Sequence, residues 1–241
     1  MVFSKTYHTN IEDYNRQGRL SLEAILRLFE NIGSHHCDSV GDGVVEGSLG
    51  GHAWILTEWN IRVPHRPGYT KQFIASTWSR GKISSCTTNR DYIITDDGGK
   101  EIALGSAKFA LFDPSSGKLA KISDELLSRY NPEPDKKAFD TTTLPKLREP
   151  SEYIFEKKIP LRRCDIDFNA HVHNLSYLNF ALEVLPKDIY LEDNFTELRI
   201  LFKKEISECE EIIAKYTTAN GSHIIGIYST DGTLHSLIQL T

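Results

Sequence analysis

The spacing of apolar positions changes several times along this 241-residue chain, and each change marks an element. From residue 20 to residue 32, Leu22, Ile25, Leu26, Phe29 and Ile32 recur at helical spacing and give one strongly apolar face. Ser21 stands where an N-cap belongs, with Leu20 and Ile25 placed to close a hydrophobic staple across it. The period then shortens. HAWILTEWNIRV, KQFIASTWSR, CTTNRDYIITDD and EIALGSAKFALFD are rich in β-branched and aromatic residues, and DDGG and DPSSG supply turns. Residues 131–150 (NPEPDKKAFDTTTLPKLREP) carry four prolines among charges and threonines and predict a linker crossing the surface.

The second half repeats the first. SEYIFEKKIP predicts a strand, and NLSYLNFALEVLP predicts a helix with Leu175, Leu178, Leu182 and Leu185 on one face and Pro186 as its stop. TELRILFKKEI, EIIAKYTTA, HIIGIYST and TLHSLIQL follow as strands, with NGS and TDG as hairpin turns. With FSKTYH as a short strand candidate ahead of the first helix, both halves read strand, long helix, antiparallel run. The predicted division is 1–130, a linker over 131–150, and 151–241. A short echo supports duplication: Asp13-Tyr14-Asn15 precedes the first helix as Asp167-Phe168-Asn169 precedes the second.

Just before the second helix stands DIDFNAHVHN. Asp165, Asp167, Asn169, His171 and His173 share one parity, while Ile166, Phe168, Ala170 and Val172 share the other. Period two predicts an extended segment with one wet and one buried face. On an extended chain Asp167, Asn169 and His171 point to one side, and Phe168 with its apolar neighbours is the anchor. The helix beginning near Asn174 offers backbone N–H groups and a positive dipole end beside them. Metal binding competes as a reading, because His171 and His173 share a face near Asp165, Asp167 and Cys164; no zinc spacing completes the set. His35-His36-Cys37 is a second cluster, assigned to helix surface and core edge because consecutive helical residues diverge.

Composition narrows the classes. The 39% hydrophobic and 25% charged content suits a soluble globular protein. A net charge of −5 gives no footprint of a nucleic-acid binder. The N-terminal stretch lacks the apolar core of a signal peptide, and no apolar run reaches membrane-spanning length. Cys37, Cys86, Cys164 and Cys209 are scattered, which predicts free thiols in a reducing cytoplasm.

A helix wrapped by an antiparallel sheet, twice over, is the α+β tandem hot-dog arrangement. On SLEAILRLFENIGSHH, AWILTEWNIRV, RRCDIDFNAHVHNLSYLNFALEVLP and the strand ending FKKE, the chain resembles the acyl-ACP thioesterases of bacteria and plants. The likeness runs from about Tyr7 to the last strands. Its most specific part has the form D-x-D-x-N-x-H-V-x-N followed by a helix. The organelle-targeting extension of the plant members is missing, which points to the bacterial type.

The resemblance implies hydrolysis of fatty acyl-ACP thioesters without a cofactor or a metal. It places catalytic roles on Asp167, Asn169 and His171 and on an acidic residue that matches Glu205. Many members follow that glutamate with a cysteine; here Ile206 follows, which disfavours a thiolate nucleophile. Water attack remains, with Glu205 and Asp167 holding the water and Asn169 and His171 binding the thioester and leaving thiol.

In the family the first domain houses the acyl chain, so Trp54 and Trp59 are candidate lining residues, against the ordinary reading as core. Asn174 is a candidate substrate-binding residue at the helix start. The implied partner is acyl carrier protein bearing a phosphopantetheine-linked acyl chain, with Lys203-Lys204, Lys157-Lys158, Arg162-Arg163 and Arg80 to Lys82 as candidate docking positives. Nucleic-acid and membrane partners are not implied, and the chain is expected as a monomer or homodimer. The alternatives are a hot-dog acyl-CoA thioesterase, a hot-dog dehydratase and a non-catalytic acyl-binding protein.

Overall fold

The computed structural model describes residues 1–43, 51–70, 72–142, 144–207 and 211–241. It separates into two compact units, Met1–Thr143 and Leu144–Thr241. In the first unit β1 (Phe3–His8) leads to helix α1 (Leu22–Ser39), then to β2 (Ala53–Arg62), β3 (Gln72–Lys82), β4 (Thr87–Thr95), β5 (Glu101–Asp113), the short β6 (Lys118–Leu119) and α2 (Asp124–Arg129). In the second, β7 (Phe155–Pro160) leads to α3 (Asn174–Val184), α4 (Lys187–Glu192), β8 (Glu197–Phe202), β9 (Glu211–Ala219), β10 (Ser222–Ser229) and β11 (Leu234–Leu240).

The strand order is β1-β3-β4-β5-β2 in the first unit and β7-β9-β10-β11-β8 in the second, with every neighbouring pair antiparallel. The two orders are one pattern. In each, the strand before the helix pairs with the third strand, and the strand after the helix takes the opposite edge. α1 packs on β3 and β1, and α3 packs on β9, β10, β11 and β7. Each unit is a hot dog, as the patterning predicts.

α1 starts as its sequence demands: Ser21 Oγ accepts from Ala24 N at 3.0 Å, and Leu20 and Ile25 are both fully buried. Phe29 lies against Trp59 and Tyr92 at ring-centroid distances of 5.8 and 5.2 Å. Trp59 is thus a core residue of this unit, 1% exposed. Burying rings of this size contributes on the order of 2–3 kcal/mol each. Gly105 of β5 permits the approach, because a Cβ there would lie 2.7 Å from Phe29 Cε2.

Two expectations need correction. The leucine stripe predicted for the second helix is not its buried face. Tyr177, Leu178, Phe180, Ala181 and Val184 are buried, while Leu175 and Leu182 are only half-buried. An apolar helix enclosed by a sheet buries a broad arc, and its ring positions outcompete the stripe. Pro186 does stop α3, but it also serves as the N-cap of α4, where proline's missing N–H costs nothing.

Residues 131–150 are not a loose surface crossing. Lys136 O accepts from Trp78 Nε1 at 2.7 Å, and Ala138 N donates to the buried carboxylate of Asp91 at 2.9 Å. In the second unit Leu147 packs with Ile224 and Leu237, and Glu149 accepts from the Tyr228 hydroxyl at 2.6 Å. Prolines exclude regular structure without excluding packing.

Candidate active site

The approach to α3 is a sharp double turn, not the extended segment its alternation predicts. Arg163–Asp165 form a 3-10 turn, and the chain then folds back so that Ile166 bridges Val172. Asp165 is 1% exposed, and its carboxylate accepts from Arg162 N at 2.8 Å, Arg162 Nε at 3.2 Å and Arg162 Nη2 at 2.7 Å. Burial pushes the Asp165 carboxyl up, but the Arg162 bonds and the Ser176 hydroxyl outweigh it and hold it below the usual carboxylate range.

The hairpin is built by Asp167. Its Oδ1 accepts from Asn169 N at 2.8 Å and His171 N at 3.2 Å, and its own N–H donates to His171 O at 2.8 Å. Ala170 takes the left-handed conformation at φ 60° that the tight turn requires. Phe168 at the tip is 75% exposed, so the anchor predicted there is absent. The hairpin is held by polar bonds and by Val172, 4% exposed, instead.

The first unit holds the same hairpin bond for bond. Asn15 Oδ1 accepts from Gln17 N at 3.1 Å and Arg19 N at 2.9 Å, Asn15 N donates to Arg19 O at 2.8 Å, and Gly18 takes a φ of 71°. Leu20 N donates to Pro67 O at 2.9 Å, as Val172 N donates to Ile206 O at 2.9 Å. These bonds correct the register of the echo by two residues. Asp13 corresponds to Asp165, Asn15 to Asp167, Gln17 to Asn169, Arg19 to His171, and Arg66 to Glu205. At the positions of Asp167, His171 and Glu205, the acids and the imidazole belong to the second unit.

Glu205 lies in a coil beyond the end of β8, not on the strand. That coil is drawn to the hairpin by the Val172 bond to Ile206 and by a bridge between His171 and Ser207. The outcome is that His171 Nε2 stands 3.6 Å from Glu205 Oε1, with side-chain exposures of 35% and 65%. The distance is long for a direct hydrogen bond and within reach of an ion pair. The exposure lets water reach both groups without crossing the core.

So the structure brings the side chains of His171 and Glu205 together and ties Asp167 to the backbone of His171, with Asn169 on the same hairpin and its side chain exposed. Asn174 is the first residue of α3 and is half-buried. Trp54 belongs to the first unit, where its indole N–H donates to Asp42 Oδ2 at 2.8 Å.

Sequence reasoning missed the role of His173. It is the N-cap of α3, and its Nδ1 accepts from Leu175 N at 3.2 Å, while Ser176 N donates to its carbonyl at 2.9 Å. Two of the N–H groups expected to face a substrate are thereby used, and Nδ1 is not free for a metal. The signal existed: in the corrected register His173 falls on Ser21, the N-cap of α1. His36 was assigned to the helix surface and core edge, yet it is fully buried, with Nδ1 2.7 Å from Arg90 Nη1. Cys37, Cys86 and Cys164 are free thiols; Cys209 lies outside the described residues.

Comparison with known proteins matches both units. The acyl-ACP thioesterase N-terminal domain matches residues 1–130, and the acyl-ACP thioesterase C-terminal domain matches residues 148–235. Oleoyl-acyl carrier protein thioesterase 1 of Arabidopsis thaliana, a chloroplastic protein, is 26% identical over 82% of this chain and 58% of its own length. A chloroplastic palmitoyl-acyl carrier protein thioesterase of Cuphea hookeriana is 22% identical over 92% of this chain and 56% of its own. The chain thus spans somewhat over half the length of these curated relatives.

Among solved structures, the 12:0-ACP thioesterase of Umbellularia californica superposes with a TM-score of 0.86 at 18% identity, covering 99% of this chain and 96% of that one. An acyl-ACP thioesterase of Bacteroides thetaiotaomicron gives 0.86 at 15%, with the same coverage. These likenesses show the tandem hot-dog fold. With both of its domains matched, over the larger part of its length, the chain belongs to the acyl-ACP thioesterase family.

Proposed function

We propose that this chain hydrolyses the thioester of fatty acyl-ACP with an activated water, releasing free fatty acid and holo-ACP. The observation that carries the reading is the placement of His171 Nε2 3.6 Å from Glu205 Oε1, on the hairpin that Asp167 ties together before α3. Glu205, with Asp167, takes a proton from water as its oxygen bonds to the thioester carbon. The oxyanion that forms faces the Asn169 carboxamide and the positive end of α3. As the C–S bond breaks, the electron pair leaves with sulfur, and His171 supplies the proton that makes the free thiol.

In this reading the first unit receives the acyl chain, with Trp54 beside its path, and the chain works in the cytoplasm as a monomer or homodimer. Among the described residues no helix is long and apolar enough to cross a membrane.

The test is free-thiol release from acyl-ACPs of graded chain length, with matched acyl-CoAs alongside. Release is expected from the acyl-ACPs, and Glu205→Gln and His171→Ala are each expected to lose on the order of a hundredfold or more in kcat. Undiminished turnover in both variants would sink the arrangement. Silence across the whole panel would leave an acyl-binding protein, and faster acyl-CoA turnover would reassign the thiol carrier.

A further inference from the structure

The carboxylate of Glu205 sits on a coil, more than half exposed, three residues beyond the end of β8. Such a segment does not aim a side chain by itself. The aim comes from below. His235 on β11 is 5% exposed, and its Nδ1 stands 3.1 Å from Lys204 O and 3.1 Å from Glu205 O. Carbonyl oxygens only accept, so Nδ1 carries the proton and divides it between the two. The other ring nitrogen, Nε2, lies 3.0 Å from Ser229 Oγ, whose single hydroxyl proton serves either Nε2 or Asp231 Oδ1, 2.5 Å away. Asp231 also accepts from Thr233 N at 2.9 Å, which closes the β10–β11 turn around the serine.

The ring therefore has a partner within hydrogen-bond reach of each nitrogen. One end is tied to a turn, and the other grips the backbone that carries Glu205. The main chain of His235 adds a clamp of its own, since its carbonyl accepts from Lys203 N at 2.8 Å. That clamp survives any side-chain replacement, so the coil stays docked when the ring is changed. What the ring alone contributes is the orientation of the peptide units at 204 and 205.

We propose that His235 is a positioning residue for hydrolysis, fixing the peptide planes on either side of Glu205 so that its carboxylate meets His171. The inference rests on the reading of Glu205 and His171 given above. It also accounts for a buried imidazole on a strand that buries Leu237, Ile238 and Leu240 completely. A buried imidazole with two well-placed partners is costly to desolvate and is retained where its bonds do work.

The experiment is steady-state turnover of one acyl-ACP by the full chain. His235→Phe keeps the ring volume and removes both nitrogens. Its kcat is expected to fall roughly tenfold to a hundredfold, the range that a misplacement of about 1 Å produces, with KM changed by about twofold or less. His235→Asn sets an amide N–H near the place of Nδ1 and is expected to recover most of the rate. His235→Gln reaches toward Ser229 instead and is expected to stay low. This amide pair decides the question even if the phenylalanine variant fails to fold.

In a Glu205→Gln background, His235→Phe is expected to cost no more than about twofold further, because it acts through the same carboxylate. Folded His235→Phe with undiminished kcat, equal rates for the two amide variants, or losses that multiply in the double variant would each overturn the inference. Full turnover by Glu205→Gln alone would instead overturn the parent reading, and this inference with it.

Discussion

Asp167 and Asn15 occupy one place in two copies of the same hairpin, and each uses its Oδ1 to accept the same pair of backbone N–H groups. The amide performs the shaping role as well as the acid. The charge of Asp167 is thus separable from its architecture, which makes Asp167→Asn an unusually clean variant. It should unfold within about 2 °C of the parent, yet lose on the order of tenfold or more in kcat if the carboxylate helps hold water. Equal kcat, measured beside equal thermal midpoints, would confine Asp167 to shaping the turn. Asp167, Asn169 and His171 were legible in the sequence because carboxylates, an amide and imidazoles on one parity are an unusually reactive set for a surface that need only be wet, and Glu205 was legible only through the family resemblance. Their geometry was not. Alternation predicts a strand, but the Asp167 side chain competes with strand pairing by bonding its own neighbours, and a turn results.

At the scale of elements, α1 and its sheet meet through Gly105 and Phe29. The Phe29 ring cannot swing aside, since Trp59 and Tyr92 lie against it and themselves stand 4.9 Å apart between centroids. A methyl group at 105 must displace packed rings. Gly105→Ala is expected to destabilise the fold by about 1–3 kcal/mol, read as a lowered urea midpoint. In a Phe29→Leu background the same substitution should cost clearly less; an equal cost in both backgrounds would show that the ring contact is not its source. The existence, order and polarity of the long elements were readable from periodicity and caps. Helix faces were less so, because periodicity reports one stripe while the wrapped sheet buries an arc. α2 and α4, each six residues long, were too short to show a period at all.

On the scale of the whole molecule, the first unit carries a buried titratable group that ties its stability to pH. His36 is fully exposed to none of the solvent, stacks on Phe3 at 5.2 Å, and faces the Arg90 guanidinium. Burial, then the charge of Arg90, then the N-terminal amine depress its pKa from 6.5 to about 3. The fold therefore holds it neutral, whereas the unfolded chain takes up a proton below about 6.5. Its contribution is present in full above that value and drains away as the pH falls toward 3. His36→Asn keeps an acceptor for Arg90 and removes the titration. Its thermal midpoint should be lower near neutrality but flatter between pH 6.5 and 3 than the parent's. Parallel curves through that window would refute the assignment. Asp165, whose pKa is lowered from 3.8, loses its contribution only below that value, so the greater part of the His36 window lies above it.

By itself the sequence determined what local physics determines. Hydrophobic periods set the two helices and the strand runs, Ser21 and the Asn220-Gly221 and Asp-Gly turns set where elements begin and reverse, and the repeated order set two units of one kind. Residue chemistry marked Asp167, Asn169 and His171 as a reactive set, and the family resemblance added Glu205. Tertiary structure alone decided the rest, because those outcomes depend on contacts between residues far apart in the chain. It set the two-residue shift that aligns Asp165 with Asp13, the burial of His36, and the approach of Glu205 to His171 across 34 positions, which a backbone bond from Val172 to Ile206 secures. No spacing along the chain encodes that bond; it exists only once the sheet has placed the two loops side by side.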